Sequence, residues 1–248
     1  MKFLVIGETC RDKFCYGHSD RLCSEAPIPI FTPEGRVTEN LGMAANVQRN
    51  MQAIDKKTHK NLPSHHKINL FSNDVVGEKT RFMDSVSNQM FLRVDTDSYN
   101  VCKRLPKLEE YDAVVVSDYD KGFLSNKDLQ KIAERAKISF LDTKKRCDPS
   151  WADLFTFIKI NEKECKENGW SEDSSNLIVT KAHKGCSFMG EDFPILNPSE
   201  VRDVAGAGDT FLAAFAYTYM LTKNIKTSIL YAQDCCQRVI SKKGVVTI

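Results

Sequence analysis

Nowhere do the 248 residues approach the ~20 consecutive apolar positions that a membrane-spanning helix needs. The longest candidate, 211–221, is too short and is interrupted by Thr218. Charge of one sign is not in excess either. Lys and Arg number 35 against 33 Asp and Glu, a net charge of +2. A dedicated nucleic-acid binder needs a basic stripe, and a disordered tail needs a charge imbalance; the sequence shows neither. The nine cysteines include no C-x-x-C pair, so the tight paired spacing of a zinc site is missing. Their reading is the reduced thiols of a cytosolic protein. There is no internal repeat and no low-complexity tract. The phosphate loop G-x-x-x-x-G-K-S/T is missing, as is the H-R-D and D-F-G set, which removes two large classes of phosphotransferase. Near the N-terminus, Phe3-Leu4-Val5-Ile6 is ended by Gly7 and Glu8 long before a secretory h-region would be complete. It reads as a first strand, and the protein is expected in the cytoplasm, with no membrane and no nucleic acid among its partners.

What the chain does contain is alternation. Short apolar runs at 3–6, 68–71, 113–116, 138–141, 157–160 and 177–180 read as strands. The continuous run at 113–116 fits a strand buried on both faces of a parallel sheet. Residues 187–189 are expected to hairpin with 177–180, and 81–84 to pair with 90–94. Met43, Val47 and Met51 recur at helical spacing. Ser125 and Asp128 form a capping box, with Leu124 and Leu129 as its staple and Leu129, Ile132, Ala133 and Ala136 as its inner face. Helices are expected over 207–221 and 225–240. The polar stretch 55–67 reads as a solvated loop; a metal site at His65-His66 would need carboxylate or Cys support that neighbouring residues do not show. Strand–helix alternation at this spacing means an open parallel sheet covered on both faces, with ligands at the carboxyl ends of its strands.

The strongest local signal is Asp203-Val204-Ala205-Gly206-Ala207-Gly208-Asp209-Thr210-Phe211. Two glycines and an alanine lead directly into an apolar helix. Free N–H groups there make an anion site, and an acid in the first turn is favoured by the dipole and placed to take a proton from a hydroxyl. Asn161-Glu162-Lys163-Glu164 follows another strand end. Asn and Glu at this spacing also make an ordinary capping box.

The first of these strings resembles the C-terminal signature of the ribokinase-like (PfkB-type) carbohydrate kinases, Asp-Thr-x-Gly-Ala-Gly-Asp. The resemblance implies a general base at Asp209 and an anion hole at Gly206, Ala207 and Gly208. Asn161 and Glu164 look like the family's Asn-x-x-Glu motif, which organises Mg²⁺ through water. Further strings are similar to those of the D-glycero-D-manno-heptose 7-phosphate kinases: Arg21-Leu22-Cys23-Ser24-Glu25-Ala26-Pro27-Ile28-Pro29-Ile30, Gly7-Glu8 through Asp12, Gly42-Met43-Ala44-Ala45-Asn46-Val47, Ser117-Asp118-Tyr119-Asp120-Lys121-Gly122 and Leu141-Asp142-Thr143-Lys144. By resemblance, Asp12, Gly42, Asn46, Asp118 and Lys121 bind the sugar substrate, and Asn161, Thr180, Gly185 and Gly244 bind the nucleotide, ATP. The implied architecture is a three-layer α/β/α open, mainly parallel sheet with a small β lid. One kinase domain would span 1–248, with lid strands from about 13–36 and 81–95 and a strand near 28–31, and it would form a homodimer.

Three departures qualify the acceptor. Met43 stands where the heptose kinases carry a second Gly, Ala205 replaces Thr, and the connections at 71–81 and 164–177 are short. A kinase for another sugar or a nucleoside stays open beside the heptose kinase, as does a non-catalytic sugar- or nucleotide-binding relative.

Overall fold

The computed structural model describes residues 1–60, 66–74, 76–242 and 244–248. Among the described residues, twelve strands and six α-helices follow the chain: β1 (Lys2–Gly7), β2 (Thr9–His18), β3 (Thr32–Met43), α1 (Ala44–Thr58), β4 (Lys67–Ser72), β5 (Gly77–Asp84), β6 (Met90–Thr96), β7 (Ala113–Asp118), α2 (Asn126–Arg135), β8 (Ser139–Thr143), α3 (Pro149–Ala152), β9 (Phe157–Asn161), α4 (Glu162–Asn168), β10 (Leu177–Thr180), β11 (Cys186–Phe188), β12 (Glu191–Phe193), α5 (Ala207–Thr222) and α6 (Ile225–Ile240). Eight strands form one sheet in the order β12-β11-β10-β9-β8-β7-β1-β4, and four form a second in the order β3-β2-β5-β6.

In the large sheet β4, β1, β7, β8, β9 and β10 are parallel, and β11 and β12 close the edge antiparallel. Side chains alternate across a strand, so each one feeds two cores. Phe3, Val5, Val115, Phe140 and Phe157 face α1, α5 and α6 through Val47, Met51, Phe215 and Ile229. Leu4, Ile6, Val114, Val116, Leu141 and Ile158 face α2, α3 and α4 through Leu129, Ile132, Trp151 and Cys165. This is why the run at 113–116 carries no polar residue. The Ser125–Asp128 capping box is present, with Ser125 Oγ accepting from the Asp128 N–H at 3.2 Å. All nine cysteines are free thiols.

The small sheet is larger than its motifs suggest. Residues 9–18 and 32–43 form long strands, so Asp12 lies within β2. The expected strand near 28–31 is replaced by a single bridge between Leu22 and Pro29. Pro27 and Pro29 supply no N–H for a ladder, and pairing therefore begins at Thr32. The polar stretch from Asp55 is also corrected: α1 runs on through Thr58. His65 lies outside the described residues.

The register sorts the lid into two faces. Residues directly opposite one another share a face. One face carries Asn40, Asp12, Lys79 and Asp95 in one row and Phe14, Arg81 and Arg93 in the next. The other carries Val37, Cys15, Phe82 and Leu92 in a row, then Glu39, Lys13, Thr80 and Val94 in the next, and Leu41, Arg11, Glu78 and Thr96 in the one after.

Candidate active site

The order of the large sheet reverses direction between β1 and β7, and the carboxyl ends there are where an α/β sheet opens a crevice. Glu8 follows β1 and is fully buried at that point. Its carboxylate accepts from the N–H groups of Tyr119 at 2.8 Å, Lys121 at 3.1 Å and Phe123 at 3.3 Å. One buried acid therefore shapes the whole 119–123 turn, in which Gly122 adopts φ 90°.

That turn aims Tyr119 at Asp209. The phenol donates to Asp209 Oδ1 at 2.9 Å, and Asn46 Nδ2 donates to Oδ2 at 3.1 Å. Burial and the neighbouring Asp209 carboxylate push the phenol well above its ordinary range, so it remains a donor. Asp209 is itself buried, at the third position of α5. Desolvation raises its pKa to about 6; the neighbouring Asp142 adds to this, while Asn46, Tyr119 and Lys159 act against it. A carboxylate in this state is ionised at neutral pH yet more basic than an exposed one.

The loop before α5 is built for close approach. Gly206 caps the helix at φ 80°, and a Cβ there would lie 2.8 Å from Asn46 Nδ2. A Cβ on Gly208 would lie 3.0 Å from Lys159 Nζ. Among the described residues the N–H groups of Gly208 and Asp209 have no partner, whereas that of Ala207 reaches the Val204 carbonyl at 3.2 Å. Beneath the loop, Lys159 pairs with Asp142 at 2.7 Å, both buried. Burial pulls the Lys159 pKa down, but the Asp142 carboxylate outweighs it and the net shift is upward, so the ammonium is charged. A fixed positive charge thus sits under a helix start whose N–H groups point outward, the arrangement that suits an anion.

The other expected site residues are spread over several elements. Asp12 is in the lid, buried, with Arg81 Nη1 at 2.6 Å. A Cβ on Gly42 would lie 2.0 Å from Asp12 Oδ2, so the glycine makes room for this carboxylate. Lys121 turns outward to Asp97 at 2.7 Å, and Asp118 is engaged by Thr143 Oγ1 at 2.5 Å and Lys145 Nζ at 3.2 Å. Those contacts make Asp118 a buttress between the ends of β7 and β8. Asn161 and Glu164 do form the capping box of α4, and the remaining Glu164 oxygen meets Lys144. At the end of β10, Thr180 Oγ1 donates to the Ile160 carbonyl at 3.2 Å, and Gly185 adopts φ 101°, where a Cβ would strike the Phe193 carbonyl. Gly244 donates to Asp203 Oδ2 at 3.0 Å and faces Phe14 of the lid. Site-building residues that motif matching left without a role are Glu8, Tyr119, Asp142, Lys159 and Arg81. A Lys inside the apolar strand Phe-Ile-Lys-Ile was the one visible signal among them.

Met43 has φ 58° and ψ −131° and is buried. The backbone keeps a conformation that favours glycine although a side chain is present, which costs about 1–3 kcal/mol.

Comparison with known proteins matches residues 103–248 to the model of the pfkB family carbohydrate kinases. The bifunctional protein HldE of a Nitratiruptor species is 27% identical, covering 99% of this chain and 63% of that protein. HldE of Helicobacter acinonychis is 28% identical, covering 98% and 63%. The chain thus spans 63% of the length of these relatives. The aligned stretch of 291 positions in the first exceeds the 248 residues here, so that relative carries residues this chain lacks. Among solved structures, the Methanocaldococcus jannaschii nucleoside kinase superposes with a TM-score of 0.68 at 16% identity, covering 98% of this chain and 93% of that one. Ribokinase from Thermotoga maritima gives 0.68 at 15%, covering 98% and 94%. These likenesses establish the ribokinase-like fold.

Proposed function

Because the chain belongs to the pfkB family of carbohydrate kinases, we propose that it transfers the γ-phosphate of ATP to a hydroxyl of a sugar phosphate, with D-glycero-D-manno-heptose 7-phosphate as the first candidate acceptor. The observation that carries this reading is Asp209. Its buried carboxylate directly follows the Gly206-Ala207-Gly208 helix start and is held by Asn46 and Tyr119.

In this reading Asp209 takes the proton of the attacking hydroxyl. The free N–H groups of Gly208 and Asp209, backed by Lys159, hold charge on the transferring phosphoryl group. Asp12 and Asn46 orient sugar hydroxyls, with Gly42 leaving the space. Lid cations Lys79 and Arg81 face the same mouth, and Lys79 Nζ lies 5.1 Å from the centre of the Tyr119 ring. The nucleotide lies along Asn161, Thr180, Gly185 and Gly244. Mg²⁺ suits a carboxylate and amide set, and Glu164 is already committed to its cap and to Lys144. Glu164 and Asn161 therefore fit the ion through water, and what it supplies when bound is neutralisation of phosphate charge.

The heptose phosphate assignment rests on the motif resemblance spanning most of the chain. Met43, buried and strained where those kinases have Gly, favours a second acceptor, another sugar or a nucleoside. The protein is proposed to work in the cytoplasm; no helix among the described residues is long and apolar enough to cross a membrane. We also infer a homodimer formed through the outer face of the lid, where Val37, Leu41, Leu92 and Val94 are exposed on one surface.

ATP turnover across a panel of sugars, sugar phosphates and nucleosides tests the acceptor; turnover with none of them, despite sugar binding, leaves a non-catalytic binding protein. Asp209→Asn should cut turnover by about 10²–10⁴-fold with ATP binding retained. The wild-type rate should fall as pH drops below about 6, where Asp209 gains its proton. Because burial raises this pKa, the protonated form favours folding below pH ~4 and that contribution is lost as pH rises through about 6. Asp209→Asn should therefore raise Tm at pH 8 and leave it unchanged at pH 4. Near-normal turnover in the variant would remove the base assignment.

A further inference from the structure

The stretch after Asp55 reads as a solvated loop in sequence, yet the fold gathers three donors there. Asp55 and His59 are one turn apart at the end of α1 and share a face. His66 stands immediately before β4. One donor atom from each of Asp55, His59 and His66 lies within 4.8 Å of the others. Asp55 Oδ1 is 3.0 Å from His66 Nδ1 and 3.6 Å from His59 Nε2. Donors around a tetrahedral ion with bonds of ~2.0–2.1 Å sit about 3.3 Å apart, so little movement is needed.

We propose that Asp55, His59 and His66 bind a divalent cation of the zinc class, with water in the fourth position. The chemistry of the donors points the same way. Two imidazoles and one carboxylate suit a borderline ion rather than Mg²⁺ or Ca²⁺. Both ring nitrogens of His59 are closed off from solvent and make no hydrogen bond among the described residues. Ring nitrogens shut off from water with only a 3.6 Å approach to Asp55 and no hydrogen bond are costly, and coordination supplies the missing bond. The surroundings resemble an outer coordination shell. Tyr217 Oη donates to Asp55 Oδ1 at 2.7 Å, and the His66 N–H reaches the same carboxylate at 3.3 and 3.2 Å. Such contacts orient a ligating carboxylate.

The site lies at the amino edge of the large sheet, away from the carboxyl ends that hold Asp209. Tyr217 is eight residues beyond Asp209 on α5, about 12 Å of helix rise. A cation here takes no part in phosphoryl transfer. It ties the end of α1 to the residue that leads into β4, while the other end of α1 carries Asn46 against Asp209.

The test uses the full chain, reduced and stripped with chelator, then titrated with Co²⁺ and Zn²⁺. One equivalent of Co²⁺ should bind with visible d–d absorption and without the intense charge-transfer band of a thiolate ligand, and Zn²⁺ should raise Tm. His59→Ala and His66→Ala should each lose both signals, and Tyr217→Phe should weaken binding about tenfold. A wild-type chain that binds no equivalent shows Asp55, His59, His66 and Tyr217 to be a hydrogen-bonded cluster only. A thiolate band, or an equivalent that survives both histidine substitutions, assigns the metal to cysteines. Either result overturns the proposal, and the wild-type spectrum decides even if a variant fails to fold.

Discussion

In the eight-stranded sheet, successive side chains alternate between two buried faces; in the four-stranded lid they alternate between a face that carries Asp12, Lys79, Arg81 and Arg93 and a mixed outer face, open to solvent, where Val37, Leu41, Leu92 and Val94 sit among Arg11, Lys13, Glu39 and Glu78. The difference shows in what each sheet does with charge. Lys159 and Asp142 occupy positions on the α5 face of the large sheet that would otherwise be core, and they persist because they pair with each other under the Gly208 turn. Asp12 and Arg81 pair at 2.6 Å in the lid, in the rows facing the same mouth. In the proposed function the large sheet supplies fixed charge and catalytic geometry, and the lid supplies a wall that reads the acceptor. Their outer surfaces differ as well: helices cover both faces of the large sheet, whereas Val37, Leu92 and Val94 of the lid are uncovered within one chain.

Breaking the buried pair should have the largest effect. Lys159→Met leaves Asp142 charged and unpaired, at a cost of about 3–5 kcal/mol in denaturant unfolding. Loss of the nearby ammonium should also move the acidic limb of the pH–rate profile above pH 6, because Lys159 holds the Asp209 pKa down. An unchanged limb would separate the pair from the site. In the lid, Arg81→Leu should cost less, about 2 kcal/mol, and act mainly on KM for the acceptor rather than KM for ATP. Equal loss for both substrates would deny the lid its reading role. The smallest effect on folding, within about 0.5 kcal/mol, is expected for Leu92→Asp with Val94→Asp. Light scattering should then report a monomer where the wild type is a dimer at micromolar concentration; a wild-type monomer under those conditions refutes lid-mediated association.

The large sheet was legible because its physics is local. A strand buried on both faces is apolar along its buried run, and residues 113–116 and 177–179 show it, with polar residues only at the carboxyl ends. Capping chemistry placed α2, and the small residues before an apolar run placed α5. The lid was less legible. Its strands mix Thr, Arg, Asp, Lys and Glu with apolar residues, because both faces carry charge and the outer one is uncovered, so the period-2 pattern is blurred. Prolines at 27 and 29 drew attention to a segment that makes one bridge only.

Sequence by itself determined the α/β plan, the helix start at Gly206–Gly208 and the acid that follows it, since each depends on neighbours within a few residues. Tertiary structure alone decided what that acid is. Its partners are 163 and 90 positions away, at Asn46 and Tyr119, and its desolvation comes from elements packed over it. The same holds for Glu8, whose carboxylate gathers N–H groups 111 to 115 residues on, and for Asp55, which meets His66 only because α1 runs back along β4. Hydrogen bonds and fields act through space over a few ångströms, and only the folded chain sets those distances.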